Sequence, residues 1–480
     1  MEIKEIIKAN KTILAGMFLS FAVSLSAQSP LNVKVFQSQK DDPVMKELPS
    51  VQLTSDLETE NNLINVYPGI KYQKILGFGG AFTETSAYNF MQLSEPQRMK
   101  LAESLFDKNN GIGLNFCRTH IGSADFSLSE YTYVKDEDKN LKSFTIDRDR
   151  KYIVPMIKAA QKYSKDLYLF ASPWSPPAWM KDNNNRIKGG KLLPKYYDTW
   201  AQYFAKYLSA FKKEGINFFG VTVQNEPKAI QTWESCQFSG TDEGVFATKN
   251  LKPQLQKAGF GDVKIMIWDH NKERVLDRAK ESFAVPGAKN DIWGIACHWY
   301  SGDHFDALRM THETFPDKPI ILTEFCSGIS KEGPNYAASN WNDAEMYANE
   351  IIGDFNNYVS AAVDWNLAVD FKGGPFHNRG GGCMAQIVVD AANDTFSLQP
   401  LYYAFGHFSK FIQRGAKRIG NSCYNDLLKV SSFVNPDGKI VVVVLNKSDR
   451  NMMPKLRIYN CTASVKIPAR SLTTLVVEAK

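Results

Sequence analysis

The chain has 480 residues, 44% hydrophobic and 12% aromatic, with a net charge of +6. This length exceeds one ordinary domain, and the apolar fraction supports a sizeable core, which excludes a disordered or low-complexity chain. The charge is modest for the length and no Lys/Arg run tracks along it, so nucleic acid is not an expected partner. Cys117, Cys236, Cys297, Cys326, Cys383, Cys423 and Cys461 show no CxxC spacing and are odd in number, which signals neither a zinc site nor a disulfide framework. Several lie in apolar runs, where a buried free thiol is expected; one or two bridges after export stay open.

Lys4, Lys8 and Lys11 precede an apolar run over 13–25 that ends at Ser26-Ala27. This pattern predicts a cleaved secretory signal over residues 1–27, despite Glu2 and Glu5, and a secreted, periplasmic or cell-surface protein. A retained anchor is the alternative; no stable membrane span is expected in the mature chain, whose net charge would be +5. Strand-like pieces follow at 32–36 and 62–67, separated by turn formers such as Asp41-Asp42-Pro43, with no helical pattern.

From residue 75 short apolar runs alternate with helical patterns. Eight such runs occur, at 75–82, 114–121, 167–174, 218–223, 264–269, 292–300, 320–325 and 362–368. The helical patterns between them include 94–106, with Ser94 as candidate cap and Pro96 in the first turn, and 150–163, 196–213, 242–257 and 343–358. This alternation predicts a closed (β/α)₈ barrel over 75–412, with a doubly wound open sheet as the alternative. After a last helix at 401–412 come strand-like runs at 427–434, 439–445, 455–459 and 472–477. The turn Asn435-Pro436-Asp437-Gly438 between two of them is a hairpin signal. The tail is too small to stand alone, so both chain ends, 28–74 plus 413–480, are expected to form one small all-β sandwich.

A barrel gathers its chemistry at the carboxyl ends of its strands. Those ends read Arg118-Thr119-His120, Ser172-Pro173-Trp174, Asn225-Glu226-Pro227, Trp268-Asp269-His270, His298-Trp299-Tyr300, Thr323-Glu324 and Asp364-Trp365-Asn366. Aromatic, amide and carboxylate groups on one rim suit a carbohydrate, which offers flat CH faces and hydroxyls. Glu226 and Glu324 each end an apolar strand, so two carboxylates could face one cavity and divide acid/base and nucleophilic work; an isolated strand-end glutamate is more often a solvated loop residue. His120, His270 and His298 lie on different strands and read as hydrogen-bonded rim histidines rather than a metal cluster.

With Gly77-Phe78-Gly79-Gly80, Asp125-Phe126-Ser127, Ala171-Ser172-Pro173-Trp174-Ser175-Pro176, Asn225-Glu226-Pro227, His298-Trp299-Tyr300, Thr323-Glu324-Phe325-Cys326 and Asp364-Trp365-Asn366 in this order, the chain resembles glycoside hydrolase family 30, the glucosylceramidase-like retaining β-glycosidases. The resemblance spans nearly the whole mature chain. It implies that Glu226 is the general acid/base, protonated at the start, and Glu324 the ionised nucleophile, with Arg118 beside it or else in an ordinary buried ion pair. It implies that Asn225 binds the sugar 2-hydroxyl, Asp125 and Trp174 the far hydroxyls, Trp365 the ring, and that Tyr300 lies by the nucleophile. Trp299 is a further substrate candidate, with core packing as the alternative. No cofactor or metal is implied, and the expected substrate is a β-glucan or β-glucoside. The loops 372–383 and 175–180 are where aglycone contacts should differ among relatives. A polar chain with a secretory signal favours β-1,6-glucan; glucosylceramide is the alternative, followed by another β-linked sugar or carbohydrate binding without catalysis.

Overall fold

The structure, a computed structural model, describes residues 31–57, 60–329 and 337–478. The expected signal segment lies outside them. Eight parallel strands, Gly77–Phe82, Phe116–Ile121, Tyr168–Pro173, Gly220–Thr222, Lys264–Asn271, Gly294–His298, Ile320–Glu324 and Val359–Asn366, close into a barrel. The eighth strand pairs with the first, Ala361 opposite Gly77, so the sheet is closed rather than doubly wound. Closure requires a close approach at Gly79, where a Cβ would stand 1.9 Å from the carbonyl oxygen of Phe116.

Successive side chains on a strand alternate between barrel interior and helix layer. Phe116, Phe170, Met266, Ala296, Ile321, Ala361 and Val363 fill the lower interior with hydrocarbon. Two residues further along several of these strands stand Arg118, Ser172, His298, Thr323 and Trp365, all buried. The period that builds the plug thus delivers polar and aromatic groups to the upper rim.

The helical patterns form with adjustments, and the segment expected as one helix over 150–163 is Asp147–Lys151 and Ile153–Tyr163, broken at Tyr152. The helix Glu95–Phe106 has Ser94 at its N-cap and Pro96 in its first turn, but the Ser94 side chain makes no capping bond; its backbone N–H donates to Asp394 Oδ1 instead, at 2.7 Å. The segment expected as one helix over 242–257 is Gly240–Val245, a π-helical turn Phe246–Leu251, and Lys252–Lys257. Pro253 lacks an N–H and crowds the preceding turn, and the wider turn accommodates it. The helix Trp341–Asn356 starts two residues before the expected 343, at an Asn340 capping box.

Both chain ends build the second unit, a ten-stranded sheet wrapped around its own apolar core. Asn32–Gln39 pairs antiparallel with Ser471–Val477, and Leu63–Lys74 lies between Lys417–Cys423 and Lys455–Ile458. The turn expected at Asp41-Asp42-Pro43 comes one residue earlier: Gln39 pairs with Asp42, which opens the strand Asp42–Gln52. The hairpin at Asn435 forms with Gly438 at φ 84°, joining Leu428–Val434 to Ile440–Asn446. The helix Pro400–Ser409 docks this unit on the barrel through His407, which is fully buried between Thr474 Oγ1 (2.8 Å) and Ser38 Oγ (3.1 Å). Among the described residues no helix is long and apolar enough to cross a membrane.

Candidate active site

A cavity of about 240 Å³ opens at the carboxyl ends of the barrel strands, and Asp125, Trp174, Asn225, Glu226, Tyr300, Glu324 and Trp365 all line it. Arg118 lies beneath, fully buried, and ties the floor together. Its Nε donates to Ser172 Oγ (3.0 Å), Nη1 to Glu324 Oε2, and Nη2 to both Asn225 Oδ1 (2.9 Å) and Asp269 Oδ2 (2.8 Å). Because Asn225 gives its oxygen to Arg118, its NH₂ group is oriented as a donor for a bound molecule. The Arg118 guanidinium also lies 4.9 Å from the Trp174 ring centroid, and Trp174 stacks on Trp365 at 5.2 Å.

Glu324, at the tip of the seventh strand, accepts from Arg118 and, at Oε1, from the Tyr300 hydroxyl at 2.9 Å. Glu226 follows the fourth strand with its backbone at φ 44°, a strained conformation held by its N–H bond to the Asp269 carbonyl at 2.9 Å. Between the two glutamates stands His298. Its Nδ1 is 3.2 Å from Glu226 Oε1 and its Nε2 is 3.1 Å from Asp269 Oδ1. Carboxylate oxygens of Glu226 and Glu324 and a His298 nitrogen all lie within 4.8 Å of one another. A retaining glycosidase needs its carboxyl groups about 5 to 5.5 Å apart, and an inverting one needs a wider gap for water.

Both His298 nitrogens face carboxylates. Burial alone would lower its pKa, but Glu324, Asp269 and Glu226 together raise it to about 9. The imidazolium therefore donates at both nitrogens and has no lone pair for a metal. Burial pushes Glu226 upward, but the His298 bond and the charges of His270 and His298 outweigh it, so its pKa is lowered. The proton of this pair thus sits on His298, against the expectation of a protonated Glu226. Asp269 is held well below the usual carboxylate range: burial opposes this, and Arg118 and the bonds from His298 and Thr222 overcome it.

Trp299 faces away from the cavity. Its Nε1 donates to the Cys326 carbonyl (3.2 Å) and its ring packs on Phe325 and Tyr347, so it is a packing residue rather than a substrate contact. The three rim histidines do not form one cluster: His270 stands near His298, with ring centroids 6.5 Å apart and both beside Glu226, while His120 accepts from the Glu84 N–H at 2.9 Å. The sequence did not mark Asp269 as a site residue, nor Gln231, Trp233, Asn271, Cys326, Arg379 and Cys383, which line the wall. Arg379, on the loop after strand eight, donates to Asp125 Oδ2 and lies 5.3 Å from the Trp233 ring centroid. Burial pushes Asp125 up to about 6 against the pull of Arg379. The glycine run 380–382 marked this loop, but no local signal identified its partner.

Residues 75–412 match the Glycosyl hydrolase family 30 TIM-barrel domain, and residues 415–475 match the Glycosyl hydrolase family 30 beta sandwich domain. The chain belongs to glycoside hydrolase family 30. It is 35% identical over 406 residues to a lysosomal acid glucosylceramidase of Mus musculus, covering 81% of this chain and 78% of that protein. It is 30% identical over 402 residues to an endo-1,6-beta-D-glucanase of Neurospora crassa, covering 79% and 80%. The crystal structure of SrfJ from Salmonella typhimurium superposes with a TM-score of 0.88 at 33% identity, over 94% of this chain and all of that one. This family 30 chain is accordingly a glycoside hydrolase, and retention of configuration is general to its family.

Proposed function

We propose that the protein is an exported β-D-glucoside hydrolase in which Glu324 attacks the anomeric carbon and Glu226 protonates the leaving oxygen. The observation that carries this reading is the pair of carboxylates, from strands four and seven, with oxygens within 4.8 Å across one cavity. Arg118 and the Tyr300 hydroxyl hold Glu324 in place. A sugar entering the cavity displaces water from Glu226 and strengthens the burial effect that already pushes its pKa up; the proton it needs is on His298, 3.2 Å away. Attack forms the glycosyl ester and breaks the glycosidic bond. Glu226 then takes a proton from water as that water attacks the anomeric carbon and frees Glu324.

We assign β-1,6-linked glucan as the substrate. The cavity wall carries Gln231, His270, Asn271 and Arg379, polar side chains suited to a second sugar's hydroxyls. Glucosylceramide is the second reading, favoured by the higher identity to the mouse enzyme, 35% against 30%, and by Ile230, 64% exposed next to Gln231. Export rests on the basic and apolar pattern of residues 1–27, and the N-terminal sequence of protein from the exported fraction tests it.

The deciding experiment incubates the purified chain separately with β-1,6-linked gluco-oligosaccharides and with glucosylceramide in detergent. Short glucose oligomers from the former are expected; glucose from the lipid alone overturns the substrate. Glu226→Gln and Glu324→Gln should each lose roughly 10²–10⁴-fold or more in kcat with unchanged folding. Azide should rescue Glu324→Ala with an α-glycosyl azide and Glu226→Ala with the β-anomer, and full activity in either variant sinks the assignment.

A further inference from the structure

Two thiols line the same cavity and take no part in the chemistry above. Cys326 follows Glu324 by two residues, and Cys383 ends the glycine run of the strand-eight loop. Their sulfurs are 3.0 Å apart, both as free thiols. Backbone pairing holds them there: Gly328 bridges Cys383 antiparallel, and the Met384 N–H donates to the Ser327 carbonyl at 2.9 Å. Cys117, Cys236 and Cys297, by contrast, are packed into the barrel core.

We propose that Cys326 and Cys383 are a reversible dithiol site that closes to a disulfide across the cavity wall. The sulfurs need only approach by about 1 Å to reach bonding distance, a shift within reach of side-chain rotation. A dialkyl disulfide small enough to enter the cavity supplies the oxidising equivalent. One thiol loses its proton, and its sulfur attacks the reagent and expels one thiolate. The second thiol then loses its proton and its sulfur displaces the other, so the protein gains one S–S bond and loses two protons while the reagent is reduced to two thiols. The bond ties the segment after the nucleophile's strand to the loop that carries Arg379, linking residues 57 apart in sequence. The hydrogen bond between the two thiols and their burial raise the Cys326 pKa, so thiolate is scarce and closure speeds up with pH.

The test reads mass and melting rather than turnover, so it stands apart from the assigned activity. The folded chain is treated with hydroxyethyl disulfide at alkaline pH, freed of reagent, denatured, alkylated and digested. The expected result is a peptide pair joined through Cys326 and Cys383, lighter by two hydrogen atoms than the sum of its thiol forms. A Tm a few degrees above that of the dithiothreitol-treated protein should accompany it. Cys383→Ser should show neither change; if that variant folds poorly, the oxidised and reduced wild-type protein carry the comparison. Full alkylation of both cysteines after treatment, a stable mixed disulfide on only one of them, or an equal Tm gain in a well-folded Cys383→Ser overturns the proposal.

Discussion

At the scale of single residues, the site is organised by a carboxylate that is not expected to touch substrate. Asp269 accepts from Arg118, His298, Thr222 and Thr323, so the group facing each glutamate is aimed from behind by the same anion. Asp269→Asn removes that charge and should lower kcat/KM roughly 30-fold, about 2 kcal/mol, with the fold retained. The pH profile gives the sharper readout. Activity should fall below about pH 6, as Asp125 takes up a proton, and above about pH 9, as the His298–Glu226 pair loses its own. Asp269→Asn withdraws one of the charges that raise His298, so the alkaline limb should move to lower pH; an unmoved limb refutes the coupling. Asp269 stood among the strand ends in the sequence, but a supporting acid leaves no mark there that separates it from a solvated one. The Glu226 and Glu324 motifs were legible because an amide, a carboxylate and a proline end one apolar strand and a carboxylate tips another.

At the scale of elements, barrel closure depends on backbone approach as much as on apolar runs. At Gly79 an added methyl would stand 1.9 Å from a main-chain oxygen of the neighbouring strand, which cannot move aside without opening the pairing. Gly79→Ala should therefore cost about 3 kcal/mol or more, read as a lowered urea midpoint, and an unchanged midpoint refutes the argument. The eight barrel strands were visible because buried parallel strands read as continuous hydrocarbon. The strand Asp42–Gln52 was not: it lies at the sheet edge, carries Pro43 and Pro49, and is largely exposed, so it shows neither an apolar run nor alternation. The π-helical turn escaped notice because one inserted residue barely disturbs helical periodicity.

At the scale of the whole molecule, the contact between barrel and sheet contains a histidine held neutral. Burial lowers the pKa of His407 from 6.5 to about 3, so the unfolded chain takes up a proton below pH 6.5 that the folded chain refuses. Stability is therefore intact above that pH and falls as the pH drops through the window, by about 1.4 kcal/mol per unit for this one group. Melting His407→Gln and wild type between neutral and acid pH should show a shallower loss in the variant. Parallel slopes would place the acid sensitivity elsewhere, His120 being the next buried candidate with its pKa lowered to about 4.

The sequence by itself determined the barrel, the participation of both chain ends in one β unit, and the candidate carboxylates, because strand periodicity and turn chemistry are local and strand ends are readable in order. Only the tertiary structure decided what depends on neighbours distant in the chain. Trp299 packs on Tyr347 rather than lining the cavity, Arg379 reaches Asp125 across 254 positions, and Cys326 meets Cys383. The protonation of Glu226 was decided in the same way, by His298 72 residues away. A pKa reflects the field of every charge and the loss of water around a group, and neither quantity is written in the residues beside it.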